Sequence, residues 1–143
     1  MKRIVHIQLL PILTGAQRVS LDLFDALAAD DWERHLIVSG DGPFPDAARR
    51  IGVQTHICLE LVRPIRPLQD IRAYRRLKAL LRDLAPDIVH THSSKPGFLG
   101  RLAARAAGVP LIIHTVHGFA FDEYTPFIPS RLYRAAERIA GRA

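Results

Sequence analysis

The feature that most constrains the fold of this chain is a regular alternation between two kinds of segment. Five short apolar runs rich in β-branched residues are bounded by turn residues, and they lie at 3–10, 34–40, 53–59, 87–92 and 110–118. The stretches between them carry apolar residues at helical spacing. Continuously apolar strands that alternate with helices are typical of a parallel sheet buried on both faces. The sequence therefore predicts repeated β-α units.

The helical segments are expected to cover both faces of that sheet. In residues 15–31 and 68–86, apolar residues recur at i, i+3 and i+4 offsets and indicate amphipathic helices. Shorter helices are predicted at about 45–51, at 97–108 and near 129–143, with Gly52 and Gly108 as C-terminal stops. The predicted core-facing residues of the two long helices are Val19, Leu21, Leu23, Phe24 and Leu27, then Ile71, Tyr74, Leu77, Leu81 and Leu84. Right-handed crossovers then give a Rossmann-like three-layer α/β/α domain that spans residues 1–143.

Composition agrees with a folded domain that has a core of its own. The chain has 143 residues, of which 48% are hydrophobic. The lone cysteine, Cys58, excludes an internal disulfide and is interpreted as a small buried side chain. The first apolar run is interrupted by His6, Gln8 and Pro11, so it is interpreted as a strand rather than a secretory signal. No segment approaches the roughly 18 to 20 apolar residues of a membrane span.

Positive charge is concentrated in one part of the chain. The formal net charge is +6, and seven basic residues between Arg63 and Arg82 are opposed only by Asp70. The arginines of the third helix are predicted to point outward, and Arg72, Arg75 and Arg76 form a basic face suited to an anionic membrane surface. A phosphorylated substrate or a nucleic acid would also suit it, and an ordinary solvated helix face is the alternative. No recognised nucleic-acid reader motif is present, so no nucleic-acid partner is predicted.

Three loops fall at the carboxyl ends of the predicted strands, where open α/β sheets bind ligands. Gly15 begins the first helix and would let a ligand approach backbone N–H groups. The turn after the fourth strand places an imidazole, two hydroxyls and an ammonium group beside a helix N-terminus; these are His92, Ser93, Ser94 and Lys95. His117 ends the fifth strand beside Gly118 and could exchange protons near neutral pH. The structural alternatives are a simple turn at Gly15, serine capping with a solvated lysine, and a hydrogen-bonded structural histidine.

Two further groups of residues are candidate sites. The four histidines at 90, 92, 114 and 117 resemble metal ligands, and a His-x-His pair on a strand shares one face. No cysteine or nearby carboxylate completes a tetrahedral set of recognised spacing, so no metal is predicted. His90 is interpreted as a core histidine. The aromatic residues of the segment 119–127 are more typical of a core or an interface than of base stacking.

Two stretches carry a resemblance to a known family. The segment "PDIVHTHSSKPGFLGRLAARAAGVPLIIHTVHGF" resembles the fourth-to-fifth strand region of the N-terminal, acceptor-side domain of GT-B fold glycosyltransferases of the retaining family 4. The segment "TGAQRVSLDLFDAL" is similar to the family's first glycine loop and helix. Thr14 and Gln17 replace the glycine and glutamate usual there. The relatives most alike build bacterial cell-surface polysaccharides.

The resemblance implies roles for individual residues. It places Gly15, Ala16 and Gly118 against a nucleotide-sugar donor, and the four residues His92 to Lys95 along the acceptor side. It identifies His117 as the histidine that projects into the cleft near the transferred sugar, the expected catalytic residue. The nucleotide sugar would be a co-substrate, and no other cofactor is implied. The acceptor would be a saccharide in lipid-linked form at the inner face of the cytoplasmic membrane, with the protein cytoplasmic or peripheral there.

The resemblance also implies a part that this sequence does not contain. GT-B enzymes have a second, C-terminal domain that binds the nucleotide sugar and carries a Glu-x7-Glu pair, and residues 1–143 hold only the first domain. The chain would therefore need that domain in cis or in trans, and alone it is expected to be inactive. The alternative function is a non-catalytic Rossmann-like module that recruits a partner or a membrane.

Overall fold

The structure is a computed structural model that describes residues 1–117, 134–135 and 138–141. Strands and helices alternate strictly along residues 1–117, as the sequence predicts. Their bounds in chain order are β1 Lys2–Ile7, α1 Gly15–Ala26, β2 Trp32–Val38, α2 Pro43–Arg50, β3 Gln54–Ile57, α3 Pro67–Leu84, β4 Ile88–His92, α4 Ser94–Ala107 and β5 Leu111–Thr115. Residues 134–135 and 138–141 are helical and fall within the predicted last helix, most of which lies outside the described residues.

The five strands form one sheet in the order β3-β2-β1-β4-β5, and every neighbouring pair is parallel. The predicted Rossmann-like α/β fold is therefore confirmed. The chain winds outward from β1 through β2 to β3, then crosses back to place β4 on the other side of β1. The strand order reverses between β1 and β4, which is the position where open α/β sheets bind ligands.

Each face of the sheet has its own apolar core. Val5, Ile7 and Val89 point to one face, where they pack against α3 and α4 in a buried cluster. Ile4 and Leu36 point to the other face and pack with α1 and α2 in a second cluster. Alternate residues along each strand therefore serve opposite layers, and both layers are covered by helices.

The buried side of α1 differs from the predicted one. Phe24 is fully buried, but Val19 and Leu23 are 41% and 39% exposed. The helix instead turns Gln17 and Ser20 inward with Phe24. The reason is that the opposing sheet face carries histidines, and polar side chains on α1 satisfy them where aliphatic ones could not. The prediction of an apolar stripe through Val19 and Leu23 was wrong.

Helix α3 follows its prediction more closely. Leu77 and Leu81 are buried as predicted, while Tyr74 and Leu84 pack partly against the same core. Ile71 is 49% exposed, because it lies two residues, or about 200°, from the buried row that begins at Ala73. Arg72, Arg75 and Arg76 are all exposed, as expected. Among the described residues no helix is both long and apolar enough to cross a membrane.

Two smaller predictions concern Cys58 and the helix ends. Cys58 is fully buried, and burial together with the nearby Glu60 carboxylate raises the pKa of its thiol to about 12, which keeps it protonated. Gly52 and Gly108 follow α2 and α4 with φ of +81° each, a left-handed conformation that glycine adopts at low cost. Helix α4 begins at Ser94, three residues before the predicted start, so the polar turn forms its first residues.

Candidate functional site

Three histidines meet at the point where the strand order reverses. His6 on β1 pairs in register with His90 on β4, and His92 lies two residues further along β4 on the same face. The ring centroids of His90 and His92 are 4.2 Å apart, and those of His6 and His92 are 5.0 Å apart. All three residues are buried. The strand register therefore gathers imidazoles from two segments more than eighty residues apart in sequence.

Polar residues from β1 and α1 continue this cluster. The Gln8 amide nitrogen donates to the backbone carbonyl of Ala16 at 3.1 Å and to the Ser20 hydroxyl at 2.6 Å. The Ser20 hydroxyl also lies 3.1 Å from His6 Nδ1 and 3.2 Å from His92 Nε2. These contacts explain why α1 buries a serine rather than an aliphatic residue.

His117 connects the buried cluster to the surface. Its Nε2 atom lies 2.9 Å from His92 Nδ1, and the two rings stack at an angle of 18°. His117 itself is exposed, while His92 is completely buried. We name the connected set Gln8, Ser20, His6, His92 and His117 the histidine chain. It runs from the interior of the sheet to a solvent-facing imidazole.

The buried histidines are neutral near pH 7. Burial, with a smaller contribution from neighbouring imidazoles, lowers the pKa of His92 to about 3 and that of His90 to about 4. The same two causes hold the pKa of His6 well below its ordinary value. Each of these rings therefore has one N–H group and one accepting nitrogen.

Neutral rings with these contacts favour one pattern of proton positions. His6 Nε2 has no hydrogen-bond partner among the described residues, so a proton on Nδ1, beside Ser20 and His92, avoids a buried unpaired N–H group. His92 Nε2 then accepts a hydrogen bond, and the His92 proton lies on Nδ1. His92 Nδ1–H donates to His117 Nε2, which leaves the other ring nitrogen of His117 for a ligand. The chain therefore orients His117 through His92.

The positions of the histidines can be compared with the prediction that the protein binds no metal. Atoms of His6, His90 and His92 that could bind a metal lie within 4.8 Å of one another. This set differs from the four candidate histidines of the sequence analysis. His114, one of those four, points to the opposite face and contacts the Thr91 hydroxyl at 2.9 Å. His90 contacts the Thr115 hydroxyl at 2.7 Å, and no carboxylate joins the described set. The expectation that the protein binds no metal stays a prediction.

The turn after β4 is organised differently from its prediction. His92 cannot touch an acceptor directly because its side chain is fully buried, and we reassign it as a positioning residue. Ser93 has a left-handed φ of 64° and makes no capping hydrogen bond through its side chain. Ser93 and Ser94 are half-buried beside the first turn of α4. Acceptor contact through their hydroxyls stays a prediction.

Lys95 is engaged by the protein itself, and its contact with an acceptor stays a prediction. Its ammonium group lies 2.5 Å from an Asp70 carboxylate oxygen and 2.5 Å from the Pro64 carbonyl oxygen, with 15% of the side chain exposed. These contacts join the start of α4 to the segment that leads into α3. Lys95 therefore fixes the position of that segment, and the alternative of a solvated lysine was wrong.

The loop before α1 has open space for a ligand. Gly15 is exposed, and no atom lies within 4 Å of the position that a Cβ would occupy. The Gln17 side chain accepts a hydrogen bond from the Thr14 backbone N–H at 3.3 Å and also contacts the Thr14 hydroxyl. Gln17 thus completes a capping box with Thr14 at the start of α1. The half-buried Ala16 is held by Gln8, and Gly118 with the aromatic segment 119–127 lies outside the described residues.

Sequence comparison finds relatives that transfer sugars. Residues 14–143 match the family described as glycosyl transferase 4-like domain. The chain is 46% identical over 120 residues to the UDP-Gal:α-D-GlcNAc-diphosphoundecaprenol α-1,3-galactosyltransferase of Escherichia coli, a match that covers 84% of this chain and 31% of that enzyme. It is 32% identical over 110 residues to the putative glycosyltransferase EpsD of Bacillus subtilis, with 75% and 27% of the two chains covered. The chain thus spans about a third of the length of these relatives.

Solved structures show the same fold at low sequence identity. The Anabaena protein HepE, crystallised with UDP and glucose, superposes with a TM-score of 0.67 at 16% identity, covering 96% of this chain and 35% of that one. A glycosyltransferase from Rickettsia africae gives a TM-score of 0.72 at 17% identity, with 92% and 33% covered. The family match extends over nearly all of the sequence and agrees with the resemblance carried by its motifs. The chain belongs to the glycosyl transferase 4-like domain family.

Proposed function

We propose that this chain is the acceptor-side domain of a glycosyltransferase of the hexosyltransferase type. The complete enzyme moves a sugar from a nucleotide-sugar donor to a lipid-linked saccharide during synthesis of a cell-surface polysaccharide. The identity of 46% with the E. coli galactosyltransferase carries this proposal, since that enzyme's name specifies UDP-galactose and a GlcNAc-diphosphoundecaprenol acceptor. The polar cluster at the reversal of strand order supports it.

The donor is proposed to lie against the first glycine loop. The start of α1 offers backbone N–H groups and the positive end of a helix dipole, which suit a diphosphate. The open space at Gly15 allows close approach there, and the Gln8 contact fixes the neighbouring Ala16. Gly118 is proposed to border the donor sugar. The nucleotide sugar is the only co-substrate proposed, without a metal or another cofactor.

His117 is proposed as the catalytic residue of this domain. It is exposed two residues after the end of β5 and contacts His92, so one ring nitrogen is committed and the other is left for a ligand. A positioned imidazole can hydrogen-bond the transferred sugar as charge develops during bond cleavage. Ser93 and Ser94 supply hydroxyls to the acceptor, while Lys95 supports the acceptor loop from its ion pair with Asp70.

Sugar transfer requires groups from a second domain on the other side of the cleft. Stabilisation of a transition state between two domains depends on groups from both, and this chain spans 31% of the E. coli relative. We propose that a C-terminal domain binds most of the donor, in cis or in trans. Residues 1–143 alone are then expected to bind acceptor but to transfer negligible sugar. A non-catalytic recruitment module is the second candidate, and it predicts neither acceptor binding nor a role for His117.

Peripheral membrane association is part of the proposal. A lipid-linked acceptor lies in a bilayer, and the exposed arginines Arg72, Arg75 and Arg76 suit the anionic inner face of a cytoplasmic membrane. Binding of anionic vesicles is expected to weaken as salt rises. Nucleic acid is not a proposed partner, because the chain carries no reader motif.

The test is a titration of the purified chain with a water-soluble GlcNAc-diphosphate lipid analogue of short chain length. We expect saturable binding of the analogue and much weaker binding of UDP-galactose. Ser93→Ala with Ser94→Ala should weaken analogue binding about a hundredfold or more, since each of the two lost hydrogen bonds to a charged group is worth about 1.5 kcal/mol or more. Thr55→Ala at the far edge of the sheet is the matched control. Absence of saturable binding, or equal loss in the control, would contradict the proposal.

A further inference from the structure

Gln8 lies between the histidine chain and the loop before α1, where the donor is proposed to bind. Its backbone N–H group donates to the Ile37 carbonyl oxygen at 3.0 Å, and the residue is 1% exposed. Because side chains alternate along an extended segment, Gln8 points to the same face of the sheet as His6. A buried amide is stable only where its polar atoms are hydrogen-bonded, so the partners of Gln8 define its role.

The Ala16 carbonyl group determines which way the Gln8 amide is turned. A backbone carbonyl oxygen can only accept a hydrogen bond, so the Gln8 nitrogen rather than its side-chain oxygen must face Ala16, at 3.1 Å. The second hydrogen of the same nitrogen is then directed at the Ser20 hydroxyl, 2.6 Å away. Gln8 therefore donates a hydrogen bond to both partners.

The Ser20 hydroxyl then has one remaining contact for its own proton. Its oxygen accepts from Gln8 and, at 3.1 Å, from the proton that the neutral His6 ring carries on Nδ1. These two bonds occupy both lone pairs of the oxygen. The Ser20 proton is directed at His92 Nε2, 3.2 Å away. His92 therefore carries its proton on Nδ1 and donates it to His117 Nε2.

The reversed pattern of protons would leave buried groups unpaired. If His92 carried its proton on Nε2, that N–H group and the His6 N–H group would compete for the single Ser20 lone pair that Gln8 leaves. The Ser20 proton would in addition face no acceptor among the contacts that the structure describes. Each buried donor without an acceptor is costly. A donor at Gln8 thus favours one direction for the whole chain.

We propose that Gln8 is a positioning residue for sugar transfer, which sets the direction of the hydrogen bonds along the histidine chain and ties that chain to the donor loop. The path from the Ala16 carbonyl to His117 passes through Gln8, Ser20 and His92, with successive distances of 3.1, 2.6, 3.2 and 2.9 Å. In this direction a neutral His117 presents an N–H group to its ligand. The role in transfer rests on the proposed function, whereas the direction of the chain does not.

The experiment determines which nitrogen of each histidine carries the proton, by nitrogen-15 NMR of the histidine-labelled chain at neutral pH without donor or acceptor. The test variant is Gln8→Glu. A buried neutral carboxyl group can donate its one proton to the Ala16 carbonyl and turn its other oxygen toward Ser20. The variant thus keeps the contact with the donor loop and changes the group that faces Ser20 from a donor to an acceptor.

Gln17→Glu is the matched control. Gln17 is also buried, in the first turn of α1, but its side-chain oxygen accepts from the Thr14 backbone N–H, so a carboxyl group keeps that bond. Gln8→Met is a second variant and removes both hydrogen bonds of the amide. Amide hydrogen exchange in the first turns of α1 reports how firmly the donor loop is held. Thermal unfolding confirms that each variant folds.

In the wild-type chain and in Gln17→Glu, we expect the His92 proton on Nδ1. In Gln8→Glu, the Ser20 proton should turn to the new acceptor, so that His92 donates from Nε2 to Ser20 and accepts at Nδ1 from His117. Gln8→Met should accelerate exchange at the start of α1 about threefold to tenfold, the equivalent of one lost hydrogen bond. Gln8→Glu should change that exchange by less than about twofold, because it keeps the bond to the Ala16 carbonyl.

The two variants should also affect the complete enzyme differently. Gln8→Glu should lower kcat about tenfold or more with little change in the KM for the donor, because His117 then presents a lone pair in place of an N–H group. Gln8→Met should instead raise the KM for the donor about threefold to tenfold, because the donor loop loses one hydrogen bond.

Four results would overturn the inference. A wild-type chain with the His92 proton on Nε2 would do so, whether or not the variants fold. So would a folded Gln8→Glu variant with unchanged proton positions, the same reversal in Gln17→Glu, or unchanged exchange at the start of α1 in Gln8→Met. Proton positions are measured without substrates, so these failures leave the test of acceptor binding intact. Protons that reverse as expected, in an enzyme that transfers no sugar even as wild type, would count against the proposed function instead.

Discussion

Acidification should destabilise this domain strongly, because its buried histidines are neutral in the folded state. An unfolded histidine takes up a proton with a pKa of about 6.5. Burial lowers the pKa of His92 to about 3 and that of His90 to about 4, and it lowers that of His6 in the same direction. Below pH 6.5 the unfolded chain thus binds protons that the folded chain does not. The contribution of these histidines to the free energy of unfolding is therefore complete above pH 6.5. It falls as pH decreases toward their folded-state pKa values.

The size of the effect at pH 5.0 does not depend on the precise folded-state values. Each group that stays neutral in the folded state loses about 1.36 kcal/mol of stabilisation per pH unit below 6.5. His90 and His92 should each lose about 2 kcal/mol at pH 5.0, or about 4 kcal/mol together. His6 adds to this loss. Domains of this size have total stabilities of about 5 to 15 kcal/mol, so the loss is a large fraction.

Urea denaturation followed by circular dichroism at pH 7.5, 6.5, 5.5 and 5.0 measures this loss. The midpoint should change little between pH 7.5 and 6.5 and then fall steeply. In His90→Gln with His92→Gln, the difference in stability between pH 7.5 and 5.0 should shrink by about 4 kcal/mol, whatever the stability of the variant at pH 7.5. A wild-type midpoint that stays constant down to pH 5.0, or an unchanged difference in the variant, would refute the assignment of neutral buried histidines.

Three other predictions concern single substitutions. In the complete enzyme, His117→Ala should lower the transfer rate by about 10²-fold or more while changing the unfolding free energy of this domain by less than about 1 kcal/mol, as assays of product and thermal unfolding will show. His92→Asn, which keeps a donor near Nδ1, should retain more activity than His92→Phe, with rates compared at equal folded fraction. Gly97→Ala should destabilise by about 1 to 3 kcal/mol because the new Cβ would overlap the His114 ring, whereas Gly15→Ala at open space should leave Tm nearly unchanged.

The order of elements could be predicted from the sequence because it depends on local patterns. Each β-branched run became a strand, and Gly52 and Gly108 end helices as expected. The face of α1 was predicted wrongly, because the helical pattern was assumed to oppose an apolar sheet. The sheet instead presents His6 and His92, which select Ser20 as their neighbour.

The histidine chain depends on contacts that no local pattern records. His6 and His92 are 86 residues apart, and only the parallel register of β1 with β4 brings them together. A signal was present, since His6 lies in the first predicted strand, and a Rossmann-like strand order places the first strand beside the fourth. Lys95 is a similar case, because its ion pair with Asp70 joins two helix starts 25 residues apart. Local sequence patterns could thus identify the candidate residues. They could not show which of these residues are exposed and which are buried and position others.

The central claim is that this chain is the acceptor-side domain of a glycosyltransferase and that His117 is its catalytic residue. The most direct measurement replaces the matching segment of the E. coli galactosyltransferase with residues of this chain and follows galactose transfer from UDP-galactose to GlcNAc-diphosphoundecaprenol. The account predicts transfer within about tenfold of the E. coli enzyme, and a loss of about 10²-fold when the chimera carries His117→Ala. A folded chimera that binds UDP-galactose but transfers no galactose, or one that transfers equally well with His117→Ala, would contradict it.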